Sequence, residues 1–359
     1  MAVSGVAVLA TISVQSWSLT TLVRTAPDDP IAPLTRRVDP DFEFVRGGHY
    51  DGSFFYAVAI DPIAQGDAHH LIDRAAYRYA HPGYGWAAWL VALGRPQAVP
   101  LALFLVGLAS LAVAAWGAAL IAAHFGWSPW WGGLVVALSP GLIFSTIADT
   151  SEPLGFALVA GTLLAWLNRR LVLVAVLSSF ACLVKEPLIA VPVALAFWEL
   201  LQARRGRESP DMHARLLALL PGPFVFAFWL MYVRAVFGVW PSSQVADAVS
   251  LPPFGWADTF HRAAEMAAGG GGAMQVGTAA LALLPVVGAL VIIGIVKAIR
   301  LRTFLDVVYL ALVPVVLSLN WLQLLNPKDL VRVTALSVAL VPAVIASPSK
   351  TPSDEGPGG

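Results

Sequence analysis

Charged side chains are scarce in this sequence. Asp, Glu, Lys and Arg make up 12% of its 359 residues, whereas soluble domains carry about 25%. This scarcity excludes an ordinary soluble enzyme and an intrinsically disordered chain. Acidic and basic residues number 22 each, so the chain has no basic field of the kind that attracts nucleic acid.

Cysteine is almost absent, and no short catalytic motif takes its place. The one cysteine, Cys182, excludes a disulfide framework and a zinc site built from cysteines. The sequence contains no HExxH motif, no Walker A loop and no dinucleotide-binding glycine fingerprint. Its function must therefore be sought in the positions of the few charged residues.

Long apolar runs are abundant. Apolar residues make up 58% of the chain, and its mean hydropathy is +0.74. A transmembrane helix needs about 20 mostly apolar residues, and ten segments approach or reach that length: 2–23, 99–122, 128–147, 153–168, 171–184, 187–202, 215–236, 276–296, 303–320 and 330–347. The pattern predicts an all-α integral membrane protein, a polytopic bundle of about ten transmembrane helices. Residues 1–347 would form a single domain, and 348–359 a disordered cytoplasmic tail.

Three basic clusters predict the orientation of the bundle, because short cytoplasmic loops are rich in Lys and Arg. The clusters are Arg169-Arg170, Arg204-Arg205-Arg207 with Arg215, and Lys297-Arg300-Arg302. With all three in the cytoplasm, both termini are cytoplasmic and residues 24–98 form a long extracytoplasmic loop. The first segment lacks a basic flank and a clear cleavage site, so we expect an anchored helix there rather than a signal peptide.

The predicted outer face collects the unusual charges. Nine of the 22 acidic residues lie in 24–98. Within that loop, the apolar stretch 81–94 is too short to span and predicts an interfacial helix; as a further span, it would reverse the sides of all later loops. Charges at membrane depth usually mark a site or an internal pair, with solvated loop ends as the alternative. The later outer loops contain Asp149, Glu152, Lys185, Glu186, Lys328, Asp329 and Arg332.

Two stretches of the first outer loop carry a family resemblance. They are GGHYDGSFFYAVAIDP (47–62) and YRYAHPGYGWAAWLVALG (77–94). Both resemble the first loop of GT-C membrane glycosyltransferases, above all bacterial members related to the GPI mannosyltransferase (PIG-V) and protein O-mannosyltransferase families. Weaker similarity extends to 138–158, 183–192 and Arg332. The matching residues of the first loop are Tyr50, Asp51, Gly52, Tyr56, Ala59, Asp61, Tyr77, Arg78 and Pro82.

The resemblance implies an inverting glycosyltransferase of the bacterial cytoplasmic membrane with an extracytoplasmic active site. It would move a hexose, expected to be mannose, from a polyprenyl-phosphate sugar to a glycan, lipid or protein acceptor of the cell envelope. A carboxylate can take the proton of the acceptor hydroxyl, and cations can stabilise the leaving phosphate. Gly52 and Ser53 are small enough to let a substrate approach Asp51. The expected catalytic residues are Asp51, Asp149 and Glu152, and the expected substrate-binding residues are His49, Tyr50, Tyr56, Arg78, Lys185, Glu186 and Arg332.

No cofactor is expected, with a divalent cation as the open alternative. The residues Asp39-Pro40-Asp41 have the letter pattern of the family's DxD-like pair, whereas Asp51 has the neighbouring residues that are typical of it. Carboxylates of this kind suit a hard metal ion. The alternative function is a transporter or flippase of a lipid-linked envelope intermediate. Such transporters commonly show paired half-repeats, and none is visible here. A non-catalytic assembly subunit and a hydrolase with the same carboxylates are further alternatives.

Overall fold

The computed structural model describes residues 6–7, 10–11, 13, 17–45 and 48–346. In this part of the chain the regular structure is helical, and the one contact of strand type is an isolated bridge between Val249 and Leu319. Ten of the 22 residues of the predicted first segment, 2–23, lie outside the described residues, as does the predicted tail at 348–359. Residues 19–23 form a 3-10 helix, Leu19–Val23.

The predicted outer loop folds into short helices. The apolar stretch 81–94, expected to be helical, contains a nine-residue helix. Two further 3-10 helices lie at Ala68–Leu71 and Pro96–Ala98. The α-helices are α1 (Ala32–Val38), α2 (Gly52–Ile60), α3 (Ala75–Ala80) and α4 (Gly83–Val91).

Further helices follow, and most of them are longer and apolar. The α-helices are α5 (Val99–His124), α6 (Pro129–Ala137), α7 (Pro140–Ile147), α8 (Glu152–Leu167), α9 (Leu171–Val184), α10 (Ala190–Arg204), α11 (Met212–Leu219), α12 (Pro221–Phe237), α13 (Phe254–Ala268), α14 (Gly271–Ala298), α15 (Phe304–Leu317), α16 (Trp321–Leu324), α17 (Pro327–Val333) and α18 (Ala335–Ala346). The remaining 3-10 helices are Glu186–Ile189, Pro241–Gln244 and Ala246–Ala248.

Four helical stretches in the described part of the chain are long and apolar enough to cross a membrane. They are Pro96–His124, Glu186–Arg204, Met212–Phe237 and Gly271–Ala298. Two helix pairs bent by 47° and 50°, α6 with α7 and α17 with α18, raise the number to six if each pair is one span. These helices indicate a membrane protein, but the predicted count of ten is not confirmed. α8, α9 and α15 are helical where expected, yet have only 16, 14 and 14 residues.

A proline explains the break between α6 and α7. Proline disfavours the helical conformation of the residue before it, and Ser139, which precedes Pro140, has φ −60° and ψ 116°. The chain therefore leaves α6 and begins α7 in a new direction. The sequence predicted one continuous span at 128–147, because hydropathy does not register such a change of direction.

α7 packs on α17 through a contact that leaves no room for a side chain. A Cβ atom added to Gly141 in α7 would lie 2.0 Å from the carbonyl oxygen of Val331 in α17. Since Val331 precedes Arg332, this approach fixes the helix that carries a predicted site residue.

Gly141→Ala is expected to destabilise the protein by about 1–3 kcal/mol, because the added methyl group overpacks a contact with rigid main chain. Thermal unfolding in detergent micelles measures the loss. Gly161→Ala in α8 is the matched control, since its Cβ would lie 3.1 Å from the flexible tip of Leu177. Equal melting temperatures for the two variants would contradict the expectation.

Hydrogen bonds attach the short helices α3 and α4 to the bundle. The Tyr84 hydroxyl in α4 donates to the Leu103 carbonyl in α5 at 2.8 Å. The Trp229 indole in α12 donates to the Tyr79 carbonyl in α3 at 2.6 Å. Contacts with the apolar helices α5 and α12 thus fix the positions of α3 and α4.

Asp61, which matched the family motif, organises the loop after α2. One of its oxygens accepts hydrogen bonds from the backbone N–H groups of Gln65 and Gly66 at 2.9 and 2.8 Å. The other lies 2.8 Å from the His69 ring. Burial alone would raise the pKa of the Asp61 carboxyl, but these hydrogen bonds lower it below its ordinary value. Asp61 therefore has a structural role in this loop.

Candidate functional site

Asp51 is the meeting point of three segments that are far apart in the sequence. It directly precedes α2, and its side chain makes no cap hydrogen bond to that helix. One carboxylate oxygen lies 2.6 Å from Nη1 of Arg332 in α17, and the other lies 3.2 Å from Nη1 of Arg78 in α3. Arg332 and Asp51 are 281 positions apart. The fold therefore brings three predicted site residues into direct contact.

Arg332 connects Asp51 to a second carboxylate. Nε of Arg332 lies 3.8 Å from Oε1 of Glu152, the first residue of α8. The same Glu152 oxygen accepts a hydrogen bond of 2.6 Å from Nζ of Lys185, which follows α9. A continuous chain of charges thus runs through Arg78, Asp51, Arg332, Glu152 and Lys185. We call these five residues the charged network.

Tyr50 and Asp329 flank the network. The Tyr50 hydroxyl donates a hydrogen bond to Asp329, and Nη2 of Arg332 lies 3.7 Å from the same carboxylate. The Tyr50 ring centroid lies 4.6 Å from Nζ of Lys328 and 4.9 Å from Cζ of Arg332. The Arg332 side chain is therefore in contact with the Tyr50 ring as well as with the carboxylates of Asp51 and Glu152.

The charges of this region balance. Four carboxylates (Asp51, Asp73, Glu152 and Asp329) face four cations (Arg78, Lys185, Lys328 and Arg332). The side chains of Glu152 and Arg332 are only 9% and 12% exposed, so removing one charge would leave its partners uncompensated in a poorly hydrated place. An anion that enters must compete with these carboxylates for the cations.

Asp51 is held in its ionised form. Burial alone would raise the pKa of its carboxyl, but the Arg332 and Arg78 guanidinium groups outweigh this effect and lower it well below its ordinary range. Both oxygens of Asp51 are occupied by these arginines. A general base needs an accessible oxygen and a pKa closer to the working pH, so Asp51 must first be released from at least one arginine.

Asp149 lies apart from the charged network and has a different character. It is completely buried, and neither carboxylate oxygen has a hydrogen-bond partner among the described residues. Burial raises the pKa of Asp149 well above its ordinary value, and Arg24 opposes this shift. The environment therefore favours the protonated acid. Arg24 is also joined to the site region through its carbonyl oxygen, which accepts a hydrogen bond of 3.1 Å from the Tyr50 N–H.

Glu186 and His49 occupy the edges of the site. Glu186 lies 3.2 Å from Nδ1 of the buried His81, whose pKa is lowered by burial and raised in part by Glu186. His49 lies 3.1 Å from Asp29 and packs edge-on against Phe54. The Arg78 guanidinium group also contacts the Phe54 ring, with its Cζ atom 3.6 Å from the ring centroid.

Some predicted residues of the Asp51 region are buried in the core. Tyr56 is completely buried and packs against Phe42 with ring centroids 5.5 Å apart, so it lies in the core. Gly52 and Ser53 are also buried. A Cβ at Gly52 would lie 2.7 Å from the carbonyl oxygens of both Val23 and Ala148. The small size of Gly52 therefore serves packing of the main chain rather than substrate approach.

The weak metal candidates do not meet Asp51. Asp39 accepts a hydrogen bond of 3.2 Å from the backbone N–H of Asp41, and Asp41 is exposed. Within the described ranges, no group of three or more His, Cys, Asp or Glu side chains is arranged to hold a metal ion.

A cavity of about 60 Å³ adjoins the charged network. Its charged end is formed by Glu152, Lys185 and Arg332. The rest of its wall is largely apolar and comes mainly from α8, α15 and α18, with Phe156, Leu188, Leu312, Val315, Val316 and Leu336. We call this cavity the amphipathic groove. Its fixed cations and apolar wall match the two chemical parts of a molecule with an anionic head and a hydrocarbon chain. Its volume is far below the range of about 300–1,000 Å³ that is usual for ligand sites, so only a small part of such a molecule would fit inside it.

The Glu152–Lys185 pair offers a test of the network that does not require knowledge of the substrate. Lys185→Met should destabilise the protein because it leaves the buried Glu152 carboxylate with only Arg332 nearby. The double variant Glu152→Gln/Lys185→Met should lose less stability than the sum of the two single variants, by about 1–3 kcal/mol. Chemical unfolding in detergent measures this coupling.

The exposed pair Asp258–Arg262, at 2.9 Å on one face of α13, is the matched control. Solvent screens such a pair, so its coupling should stay below about 0.5 kcal/mol. Similar coupling in the two pairs would contradict the buried character of the network.

Three residues that lie at the site were not among the site residues predicted from the sequence. Arg24 follows the first apolar segment and reads as an ordinary helix flank. The sequence marks Asp329 as one of the few charged residues, but no local pattern indicates its contact with Tyr50, 279 positions away. His81 lies in the HPGYG stretch that carried the resemblance, and its neighbour Arg78 could have drawn attention to it.

No protein-family model matches this sequence, and no curated protein matches it. The functional conclusion therefore depends on the chemistry of the charged network and the amphipathic groove.

Proposed function

We propose that this protein is an inverting membrane glycosyltransferase that moves a hexose, with mannose the expected sugar, from a polyprenyl-phosphate donor to an acceptor of the cell envelope. The observation that carries the proposal is the placement of Lys185 and Arg332 at one end of a groove whose remaining wall is largely apolar. Asp51, the proposed general base, lies 2.6 Å from Arg332. Base and phosphate-binding cations are therefore adjacent.

The donor would bind with its phosphate at the charged end of the amphipathic groove. A guanidinium group can contact two phosphate oxygens at once, and an ammonium group supplies a point charge. Leu312, Val316 and Leu336 would contact the first part of the hydrocarbon chain. Glu152 would hold Lys185 and Arg332 in place before the donor arrives.

Donor binding would also activate Asp51. The anionic phosphate competes with the Asp51 carboxylate for Arg332 and Arg78. As an arginine turns towards the phosphate, it frees an oxygen of Asp51 and removes the charge that lowers its pKa. The base thus becomes competent only when the donor is present, which limits unproductive reactions of the empty site.

The transfer step follows from this arrangement. The acceptor hydroxyl oxygen attacks the anomeric carbon on the face opposite the phosphate, and Asp51 takes the hydroxyl proton. The bond between the anomeric carbon and the phosphate oxygen breaks, and its electron pair leaves with the polyprenyl phosphate. Lys185 and Arg332 stabilise the negative charge that grows on this leaving group. The configuration at the anomeric carbon is inverted.

The proposal includes an orientation in the bacterial cytoplasmic membrane. Arg169, Arg207 and Arg215 border the far end of α8, whose first residue is Glu152. Because basic residues favour the cytoplasmic side, the charged network would face the extracytoplasmic side.

Reconstitution tests the activity directly. Purified protein in liposomes receives polyprenyl phosphates that carry radiolabelled mannose or glucose, together with envelope glycan, lipid and peptide acceptors. The proposal expects release of free polyprenyl phosphate and label on an acceptor. Movement of the intact labelled lipid across the vesicle without loss of its sugar would instead identify a transporter and overturn the proposal.

A further inference from the structure

A second and larger cavity, of about 420 Å³, lies far from the charged network. Its wall includes Leu167, at the end of α8 opposite Glu152. At 1.5 Å per helical residue, these two ends are about 22 Å apart. α15 runs between the same two regions, with Phe304 at this cavity and Val316 at the amphipathic groove.

The lining of this open cavity is unusually polar for a bundle of apolar helices. Three arginines, Arg169, Arg207 and Arg215, surround the space. Trp166 and Trp198 form part of the wall, and one buried carboxylate, Glu199, faces them. We call it the arginine cavity. Its volume is within the range of small-molecule sites, about 300–1,000 Å³.

Arg215 is held rigidly in this wall. Its Nε lies 3.1 Å from Oε1 of Glu199, and its side chain is only 12% exposed. Its Cζ lies 3.9 Å from the centroid of the Trp166 ring. A guanidinium group fixed between a carboxylate and an indole loses little freedom when it binds a further anion.

The charges of the arginine cavity do not balance. Glu199 compensates Arg215, and Asp211 lies 3.5 Å from Arg169. Arg207 forms no ion pair within the described ranges, so one positive charge remains uncompensated. An oxyanion is the ligand that this excess of guanidinium groups would attract.

We propose that the arginine cavity binds a phosphate group, supplied either by the head of an acidic membrane lipid or by a soluble phosphate. Guanidinium groups pair with two phosphate oxygens at once, and basic pockets between membrane helices are suited to acidic lipid heads. Trp198 is partly exposed at this cavity, and tryptophans are enriched where a membrane protein meets the lipid head groups. The site is separate from the charged network and does not depend on the proposed function.

Equilibrium binding to purified, delipidated protein in a neutral detergent tests the site. The probes are inorganic phosphate, dihexanoyl phosphatidic acid, and dihexanoyl phosphatidylcholine as a zwitterionic control. The variant is Arg169→Gln/Arg207→Gln, because both side chains are exposed and their replacement leaves the Arg215–Glu199 pair intact. The matched control is Arg170→Gln, an exposed arginine that does not line the cavity.

Phosphatidic acid is expected to bind the wild-type protein and the Arg170→Gln control equally, and the double variant at least tenfold more weakly. Binding of inorganic phosphate with the same dependence would identify a soluble phosphate as sufficient. Binding of phosphatidic acid alone would identify the lipid head group. Failure of both anions to bind, equal binding of phosphatidylcholine, or binding unchanged in the double variant would overturn the proposal.

Discussion

Asp51→Asn is expected to reduce hexose transfer by about 10²–10⁴-fold, the contribution typical of a general base. An amide cannot take the proton of the acceptor hydroxyl, although it has nearly the shape of the carboxylate. The donor should still bind, because Lys185 and Arg332 are retained and Arg332 has lost a competitor. Single-turnover assays with saturating donor would therefore show slow transfer rather than weak donor binding.

The protein should remain folded in this variant. Arg332 keeps Asp329 at 3.7 Å and Glu152 at 3.8 Å, and Arg78 keeps Asp73 at 3.4 Å. Each arginine therefore retains a carboxylate partner. Asp73→Asn is the matched control, since Asp73 also contacts Arg78 but its side chain is 58% exposed. Transfer by Asp51→Asn at the rate of this control would exclude Asp51 as the base.

Arg332→Met should have the largest effect on stability, a loss of about 3–5 kcal/mol. The substitution leaves Asp51, Glu152 and Asp329 with one cation fewer in a region with little access to water. Arg332→Lys should recover part of the loss only, because an ammonium group cannot span several carboxylates as the planar guanidinium does. Denaturant titration in detergent micelles, with the slope checked for each variant, gives the free energies of unfolding.

Arg95→Met provides the comparison for this variant. Arg95 is exposed and has no ion pair in the described part of the chain, so its replacement should change stability by less than about 0.5 kcal/mol. If Arg332→Met unfolded at the same denaturant concentration as Arg95→Met, the charged network would not contribute to the stability of the protein.

The sequence predicted the helical class of the protein and several contacts of the site. Few charges in an apolar chain are informative, and the predicted residues Asp51, Glu152, Lys185 and Arg332 do lie together. Their common side relative to the membrane stays a prediction. The count of ten spans is not confirmed, because hydropathy reports neither helix length nor helix direction. The sequence did not predict α13, because its polar and charged residues make this segment look like a loop.

Other features depend on contacts that no local pattern encodes. Gly52 matches a motif, yet its neighbours Val23 and Ala148 come from different parts of the chain, and only the fold shows that it serves packing. Tyr56 lies six positions from Tyr50 but points into the core, because α2 buries nearly all of its side chains. Motif matching identifies a segment, whereas helix orientation decides which of its residues reach the site.

The distance in sequence between Asp51 and Arg332 has a consequence for biosynthesis. At about 5–20 residues per second, the ribosome needs tens of seconds to add the 281 positions that separate them. Throughout that time Asp51 has only Arg78 as a partner, and Glu152 waits for Lys185 and then for α17. The site is therefore completed only once α17 is made, and a chain interrupted before α17 is inserted lacks the cation that joins the two carboxylates.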